Sequence, residues 1–88
     1  MRKLVFHRRF EKQYALLNSV QKVRVKVALT QYMTGKITPA LRVHKLSGEY
    51  RGQVSISAGG DLRIHLLDNE IDMTVVALQV GTHSQLYG

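Results

Sequence analysis

The sequence predicts an α+β fold: two N-terminal helices packed on one face of a small, mainly antiparallel sheet of about four strands, then a short C-terminal tail. Up to Gly35 the apolar residues recur mostly at helical spacing, and after Pro39 they alternate as strand residues do. Glycine-rich turns separate the alternating runs, which is typical of a meander. The 88 residues support a single domain, residues 1–88, with one modest core.

A short strand and a helix account for the first eighteen residues. The apolar run at residues 4–6 predicts the strand, which is expected to return to the sheet. Phe10, Tyr14 and Leu17 are spaced i, i+4 and i+7, which places them on one face of a helix over residues 7–18. This face is expected to cover the sheet.

A second helix is predicted from Asn18 to Gly35. Asn18 is a good N-cap, and glycine is a typical residue just after a helix. The valines of residues 23–27 alternate like a strand and are β-branched, which favours the opposite assignment. The length of the window and the stop at Gly35 favour a helix, and Pro39 disfavours helix in the residue before it.

The second half of the chain predicts a three-stranded meander. Alternating runs at residues 54–57 and 62–66 flank the turn residues 59–61 and predict a hairpin. A second turn is expected at residues 68–70. The run at residues 74–80 is apolar on both faces, which indicates an interior strand.

The end of the chain is expected to carry no regular structure. Gly81 is expected to end the last strand, and residues 83–88 are expected to form a short tail. His83 then stands just past an interior strand, beside a glycine that permits close approach.

The net charge of +7 is unevenly distributed along the chain. Residues 1–45 carry a net charge of +10, and residues 46–88 carry −3. A strongly positive half attracts nucleic acid or an acidic protein, although a solvated helix surface that keeps a small protein soluble is the plainer explanation. The two Phe and four Tyr do not alternate with the basic residues, so a stacking platform for single strands has little support.

The composition excludes several kinds of chemistry. The absence of cysteine excludes disulfides, thiolate zinc sites and a cysteine nucleophile. The four histidines have no metal-ligand spacing, so neither a metal site nor another cofactor is expected. No long apolar run predicts a membrane-spanning helix, and the basic N-terminus lacks the apolar stretch of a signal peptide, so a cytoplasmic protein without membrane contact is expected.

Three charged or polar residues fall on one face of a predicted strand. Asp61, Arg63 and His65 share this face because strand side chains alternate. An acid, a fixed cation and an imidazole together are suited to phosphodiester cleavage, which needs proton transfer and stabilisation of negative charge. The alternative is an exposed pair between Arg63 and Asp61 beside a solvated His65, and the pattern alone favours this alternative.

Three motifs together resemble a known family. They are HKLSGEYRG at residues 44–52, GGDLRI at residues 59–64 and VGTHSQLYG at residues 80–88. In this order, behind two basic helices, they resemble the RelE/ParE superfamily of type II toxin–antitoxin toxins, and within it the YafQ-like branch. The resemblance covers the whole chain, and its last motif is the most specific.

The resemblance implies a ribosome-dependent endoribonuclease that cleaves the mRNA codon in the A site. The ribose 2′-hydroxyl attacks the adjacent phosphate without a metal ion. His83 matches the main general acid/base, His44 an upstream active-site histidine and Asp61 an acidic residue of the site. Arg63 matches a phosphate-contacting arginine, and Tyr87 matches an aromatic residue near the scissile nucleotide.

The resemblance also implies partners. The toxin binds the ribosome and mRNA, is silenced by a cognate acidic antitoxin, and contacts operator DNA only through the antitoxin complex. Further cations are expected to bind substrate: Arg42, Lys45 and Arg51. Cations of the two helices are expected to bind the ribosome or the antitoxin: Arg8, Arg9, Lys12, Lys22, Arg24 and Lys26.

The sequence departs from the YafQ-like pattern at three positions. Gln79 replaces an arginine, Leu62 replaces a tryptophan, and Ser57 or a neighbour replaces a histidine. Loss of a cationic donor at a phosphorane typically lowers the rate by about 10²–10³-fold, unless Arg63 or Arg51 supplies the charge instead. Two alternatives therefore stay open: a ParE-like toxin that inhibits DNA gyrase without nuclease activity, and a weakened member that mainly binds antitoxin and operator DNA.

Overall fold

A five-stranded mixed sheet organises the chain in the computed structural model, which describes residues 2–87. Met1 and Gly88, the last residue of the third motif, lie outside the described residues. The strand order is β1-β5-β4-β3-β2. The strands are β1 (Lys3–Phe6), β2 (His44–Lys45), β3 (Val54–Ser57), β4 (Leu62–Asn69) and β5 (Thr74–Thr82). The α-helices are α1 (Arg8–Ala15), α2 (Ser19–Met33) and α3 (His83–Tyr87), and short 3₁₀ turns span Pro39–Leu41 and Gly48–Tyr50.

The predicted fold class is confirmed, with one strand more than the four expected. The extra strand, β2, pairs antiparallel with β3 through two residues, His44 and Lys45, which is too short to give an alternating signal. The expected return of the first strand is also confirmed, since β1 pairs in parallel with β5. The other strand pairs are antiparallel. Because β5 pairs with β1 on one side and with β4 on the other, it is an interior strand as predicted.

The two predicted helices form because each has a cap and an apolar face. The side chains and backbones of Asn18 and Gln21 exchange hydrogen bonds of 2.8 and 3.0 Å, which is a capping box at the start of α2. The valines that alternate within α2 separate onto two sides, since Val25 is fully buried whereas Val23 and Val27 are 60% and 51% exposed. Burial at helical spacing therefore overrides the strand-like local pattern.

The hydrophobic core lies between the sheet and the first two helices. It is formed by the inward faces of α1 and α2, by one face of β3, β4 and β5 and by the 3₁₀ turn Pro39–Leu41. Its fully buried members include Val25, Leu41, Ile56, Ile64, Leu66 and Val75. Because β-strand side chains alternate, Arg63 and His65, which flank Ile64 in β4, point to the opposite face of the sheet. This face, which α1 and α2 do not cover, is called the open face. Within the described residues, none of the helices is long and apolar enough to cross a membrane.

The C-terminal part of the chain differs from the prediction. Residues 68 and 69 belong to β4, so the second turn falls at residues 70–73, and β5 continues through Gly81 to Thr82. The expected tail is the helix α3, whose Leu86 is buried. The physical reason is a capping box, in which Thr82 and Gln85 exchange backbone-to-side-chain hydrogen bonds of 2.8 and 3.2 Å.

Candidate functional site

A row of polar side chains crosses four strands on the open face of the sheet. His44 on β2 is paired with Ser55 on β3, Ser55 with His65 on β4, and His65 with Gln79 on β5. Directly paired residues on one sheet face have neighbouring side chains. The register therefore brings two histidines and the Gln79 amide into one continuous polar strip.

His65 is the buried centre of this strip. Its side chain is fully buried, so the interpretation of a solvated His65 is wrong. Its Nδ1 lies 3.0 Å from Gln79 Nε2, and its Nε2 lies 2.8 Å from the Tyr87 hydroxyl. Burial lowers the pKa of the His65 imidazole below its ordinary value of 6.5, and the nearby charge of His44 lowers this pKa further. The imidazole is therefore neutral at physiological pH.

Aromatic rings from distant parts of the chain close over His65. The Tyr50 ring meets the His65 ring edge-on at 5.1 Å and the Tyr87 ring at 5.5 Å, and its hydroxyl donates a 2.7 Å hydrogen bond to the Leu86 carbonyl. The centroids of the His83 and Tyr87 rings are 4.6 Å apart. This ring cluster ends at the surface, because His83 and Tyr87 are exposed.

His83 and Asp61, two of the predicted catalytic residues, lie side by side. His83 is the first residue of α3, and its backbone N–H donates a 3.2 Å hydrogen bond to the Asp61 carbonyl. Asp61 lies in the hairpin turn before β4, and both side chains are exposed. The capped start of α3 thus holds the backbone of His83 beside Asp61.

Arg63 supplies a cation whose position is fixed by the backbone. It lies on the open face between Ser57 and Gly81 in the strand register. Its Nη1 is 2.9 Å from the Gly60 carbonyl, 3.2 Å from the Leu62 carbonyl and 3.3 Å from Ser57 Oγ. Ser57 therefore helps to hold this guanidinium, and it or a neighbour stands where the resemblance places a histidine.

His44 is exposed, and its Nε2 has no hydrogen-bond partner among residues 2–87. Its Nδ1 lies 3.1 Å from the Arg42 carbonyl, which only accepts hydrogen bonds, so Nδ1 carries the proton. In the neutral ring Nε2 then keeps its lone pair and is able to accept a proton. The hydroxyl of Ser55, buried between the two histidines of the strip, has no hydrogen-bond partner within the described residues.

The remaining predicted cations lie around this site rather than in it. Lys45 follows His44 in β2 and points to the opposite face of the sheet, whereas Arg51 is exposed after the 3₁₀ turn Gly48–Tyr50. Arg24 packs against the hairpin turn, since its Cδ lies 3.3 Å from where a Cβ on Gly59 would stand. The other helix cations are exposed, apart from the half-buried Lys22: Arg8, Arg9, Lys12 and Lys26.

Sequence reasoning missed Tyr50 as a site residue and misjudged the environment of His65. A histidine at an alternating strand position is typical of a solvated face, and nothing local indicates that Tyr50 and Tyr87 cover it. The capping pattern T-H-S-Q at residues 82–85 was the available signal for α3. Across residues 2–87, no group of three or more His, Asp or Glu side chains is arranged to hold a metal ion.

Comparison with known proteins identifies the fold. No protein-family model matches the sequence, and a search of the curated proteins finds no significant match. Escherichia coli YafQ, in its complex with DinJ, has a TM-score of 0.84 and 16% identity over 100% of both chains. A copper-bound mutant toxin from Helicobacter pylori has a TM-score of 0.83 and 22% identity, over 99% of this chain and 100% of that one.

A third similar structure widens the comparison. The YoeB/ParE toxin from Agrobacterium tumefaciens has a TM-score of 0.79 and 13% identity, over 92% of this chain and 98% of that one. These structural similarities confirm the RelE-like fold that the three motifs predict.

Proposed function

From the fold that this chain shares with YafQ over its whole length, we propose that it is the toxin of a type II toxin–antitoxin system and cleaves mRNA on the ribosome. The proposal places the protein in the cytoplasm, where it cuts the codon in the ribosomal A site. Operator DNA is contacted only through the complex with the antitoxin. The positive charge of the N-terminal half favours association with ribosomal RNA, because Lys and Arg side chains neutralise backbone phosphates.

The arrangement of His83 beside Asp61 is the observation that carries the proposed nuclease activity. His83 is exposed and fixed at the start of α3 by the hydrogen bond to the Asp61 carbonyl. Arg63 stands on the open face close to this point, two positions after Asp61 and opposite Gly81. A proton-transfer group beside a fixed cation is what phosphodiester cleavage requires.

The proposed reaction is an internal displacement at phosphorus, as the resemblance to the toxin family implies. His44 Nε2 accepts the proton of the ribose 2′-hydroxyl, whose oxygen then bonds to the adjacent phosphorus. His83 donates a proton to the departing 5′-oxygen, which leaves a 2′,3′-cyclic phosphate and a free 5′-hydroxyl. The Arg63 guanidinium stabilises the negative charge that develops on the phosphate oxygens.

The proposed antitoxin binds the surface of α1, α2 and the edge strand β1. Phe6 at this edge is 45% exposed and its ring stacks at 5.3 Å on that of Phe10, which lines a groove with Tyr14 and Leu29. Within α1 and α2 six cations accompany one acid, Glu11. An acidic amphipathic segment matches both the apolar groove and the excess of positive charge on α1 and α2, and YafQ itself is seen in complex with DinJ.

Expression without antitoxin tests the proposal. We expect the protein to arrest growth and, by primer extension, to produce cuts within mRNA that require translation. The His83→Ala variant is expected to abolish both effects while remaining folded by circular dichroism. His7→Asn is the matched control, because His7 is an exposed histidine that caps α1 and asparagine preserves the cap.

Three results would contradict the proposal. Full toxicity of the His83→Ala variant would show that His83 is not the general acid/base. Inhibition of DNA supercoiling with intact translation would instead identify a toxin that acts on gyrase, and unaffected growth would identify a protein that only binds its antitoxin.

A further inference from the structure

The hydroxyl of Tyr87 lies between a buried imidazole and the surface of the site. Tyr87 Oη is 2.8 Å from His65 Nε2, and the Tyr87 side chain is 39% exposed. The Tyr87 ring also contacts His83, with 4.6 Å between the ring centroids. The Tyr87 hydroxyl is therefore held by His65 on its buried side, and on its exposed side it is accessible to a ligand bound beside His83.

The hydrogen bonds of His65 determine which partner donates. Gln79 presents its Nε2 to His65 Nδ1 at 3.0 Å, and an amide nitrogen only donates. Nδ1 must therefore accept, and the proton of the neutral imidazole lies on Nε2. Nε2–H in turn donates to Tyr87 Oη, so the phenol accepts from below and its own proton stays available.

The surroundings hold this arrangement in place. His65 is fully buried and Gln79 is 8% exposed, so water does not compete for their hydrogen bonds. The edge-on ring of Tyr50 at 5.1 Å keeps the imidazole plane from turning, and the Tyr50 hydroxyl is itself bonded to the Leu86 carbonyl. Both ring nitrogens of the buried imidazole are therefore paired, which holds the ring in one orientation.

We propose that His65 is a positioning residue whose Nε2–H holds the Tyr87 hydroxyl as an acceptor, so that the Tyr87 O–H points outward as a hydrogen-bond donor to a phosphate oxygen of bound RNA. The RNA part of this inference rests on the proposed function, whereas the direction of the hydrogen bonds does not. Gln79 thereby acquires a role: it fixes the tautomer of His65 from the position where the resemblance places an arginine.

The tautomer of His65 is directly measurable by nitrogen-15 NMR of the whole protein at pH 8, where the imidazole is neutral. We expect Nδ1 to be unprotonated and Nε2 to carry the proton. In Gln79→Glu, a variant of the same size, the carboxylate accepts from Nδ1, so the proton moves to Nδ1 and Tyr87 becomes the donor to Nε2. A proton on Nδ1 in the unaltered protein would overturn the inference.

RNA cleavage tests the consequence for Tyr87. Removing a hydrogen bond to a charged group lowers a rate by about 10-fold or more, so we expect Tyr87→Phe to lose activity by this factor. Gln79→Glu should fall to the same level, and the double variant should fall no further, because both changes remove one donor. His65→Gln keeps an N–H near the place of Nε2 and should retain most of the activity.

The outcomes separate this inference from the proposed function. Cleavage by Gln79→Glu at the unaltered rate, with a reversed tautomer, would show that the direction of the Tyr87 hydroxyl does not matter and would overturn the inference. If the unaltered protein cleaves no RNA while the NMR shows the expected tautomer, the RNA part and the proposed function fail together and the positioning role of His65 stands.

Discussion

A Cβ atom on Gly81 would lie 2.9 Å from Gln85 Oε1. That oxygen is not free to move away, because it accepts the 2.8 Å hydrogen bond from the Thr82 backbone that caps α3. The close approach of Gly81 and Gln85 is therefore what lets α3 fold back onto β5. His83 and Tyr87 are carried on this helix, so the missing side chain at position 81 sets the geometry of the proposed site.

Gly81→Ala is expected to displace α3 from β5. We expect a large loss of cleavage activity and only a moderate loss in the free energy of unfolding. The added methyl would also lie 3.3 Å from Gln85 Cβ, and overpacking of this kind typically costs about 1–3 kcal/mol in the free energy of unfolding. Thermal unfolding measures this cost, and mRNA cleavage measures the displacement of His83. Ser84→Ala, an exposed change on the same helix, is the control and should leave both readouts unchanged. Unaltered cleavage by Gly81→Ala would contradict the inferred close approach.

Acid should destabilise the protein through His65. Its pKa is lowered in the folded state by burial and by His44, so the unfolded chain binds the proton more readily just below the ordinary value of 6.5. The contribution of His65 to stability is therefore complete above about pH 6.5 and is lost as the pH falls through the folded pKa.

Denaturant unfolding between pH 8 and pH 5 measures this dependence. We expect the free energy of unfolding to fall less steeply in His65→Gln, because glutamine does not titrate. The other groups near His65, namely His44, Tyr50 and Tyr87, are present in both proteins, so the difference between the profiles reports His65 together with its coupling to His44. Identical pH profiles for the two proteins would exclude a depressed pKa at His65.

Asp68 should cause a second loss of stability, at a more acidic pH than the loss caused by His65. It accepts hydrogen bonds from Arg2 and from the Tyr32 hydroxyl. Burial opposes its ionisation, but these two hydrogen bonds outweigh burial and hold the pKa of Asp68 below the ordinary 3.8. Burial of the phenol, together with the hydrogen bond to the Asp68 carboxylate, raises the pKa of Tyr32 to about 12. The stabilisation is therefore present above about pH 3.8 and is lost as the pH falls through the folded pKa.

Asp68→Asn is the variant that tests this contact. We expect it to lower the free energy of unfolding at pH 7 by about 1–2 kcal/mol, because the charged partner of Arg2 is removed. Its stability should also become less sensitive to acid below pH 4. The exposed Asp72→Asn is the control. Equal acid sensitivity of Asp68→Asn and the unaltered protein would show that Asp68 is not the titrating group.

The parts of the fold that the sequence predicts are those with a long pattern. The second helix has fifteen residues and an asparagine cap, and the hairpin has two alternating runs around a Gly-Gly turn. The strand β2 and the helix α3, with two and five residues, are too short to show a period. Their formation depends on pairing and packing with elements that are distant in sequence.

The sequence predicted the candidate site only where the residue type and its place in the strand alternation were sufficient. Alternation correctly placed Arg63 and His65 on one face of β4. The burial of His65 depends on Tyr50 and Tyr87, which reach it from a 3₁₀ turn and from α3. No local pattern reports contacts of this kind, so the sequence indicated a solvated histidine where the fold makes a buried one.

Arg63 should be the cation that replaces the arginine missing at position 79. Its Nη1 is anchored on the Gly60 and Leu62 carbonyls, so the charge stands in a fixed place without reorganisation, whereas Arg51 is exposed after its turn. We expect Arg63→Ala to slow mRNA cleavage by about 10²–10³-fold and Arg51→Ala to have a much smaller effect. Arg63→Lys keeps the charge but not the planar guanidinium geometry, so it should fall between the two. Single-turnover cleavage measures the chemical step, and a larger loss in Arg51→Ala than in Arg63→Ala would assign the charge to Arg51 instead.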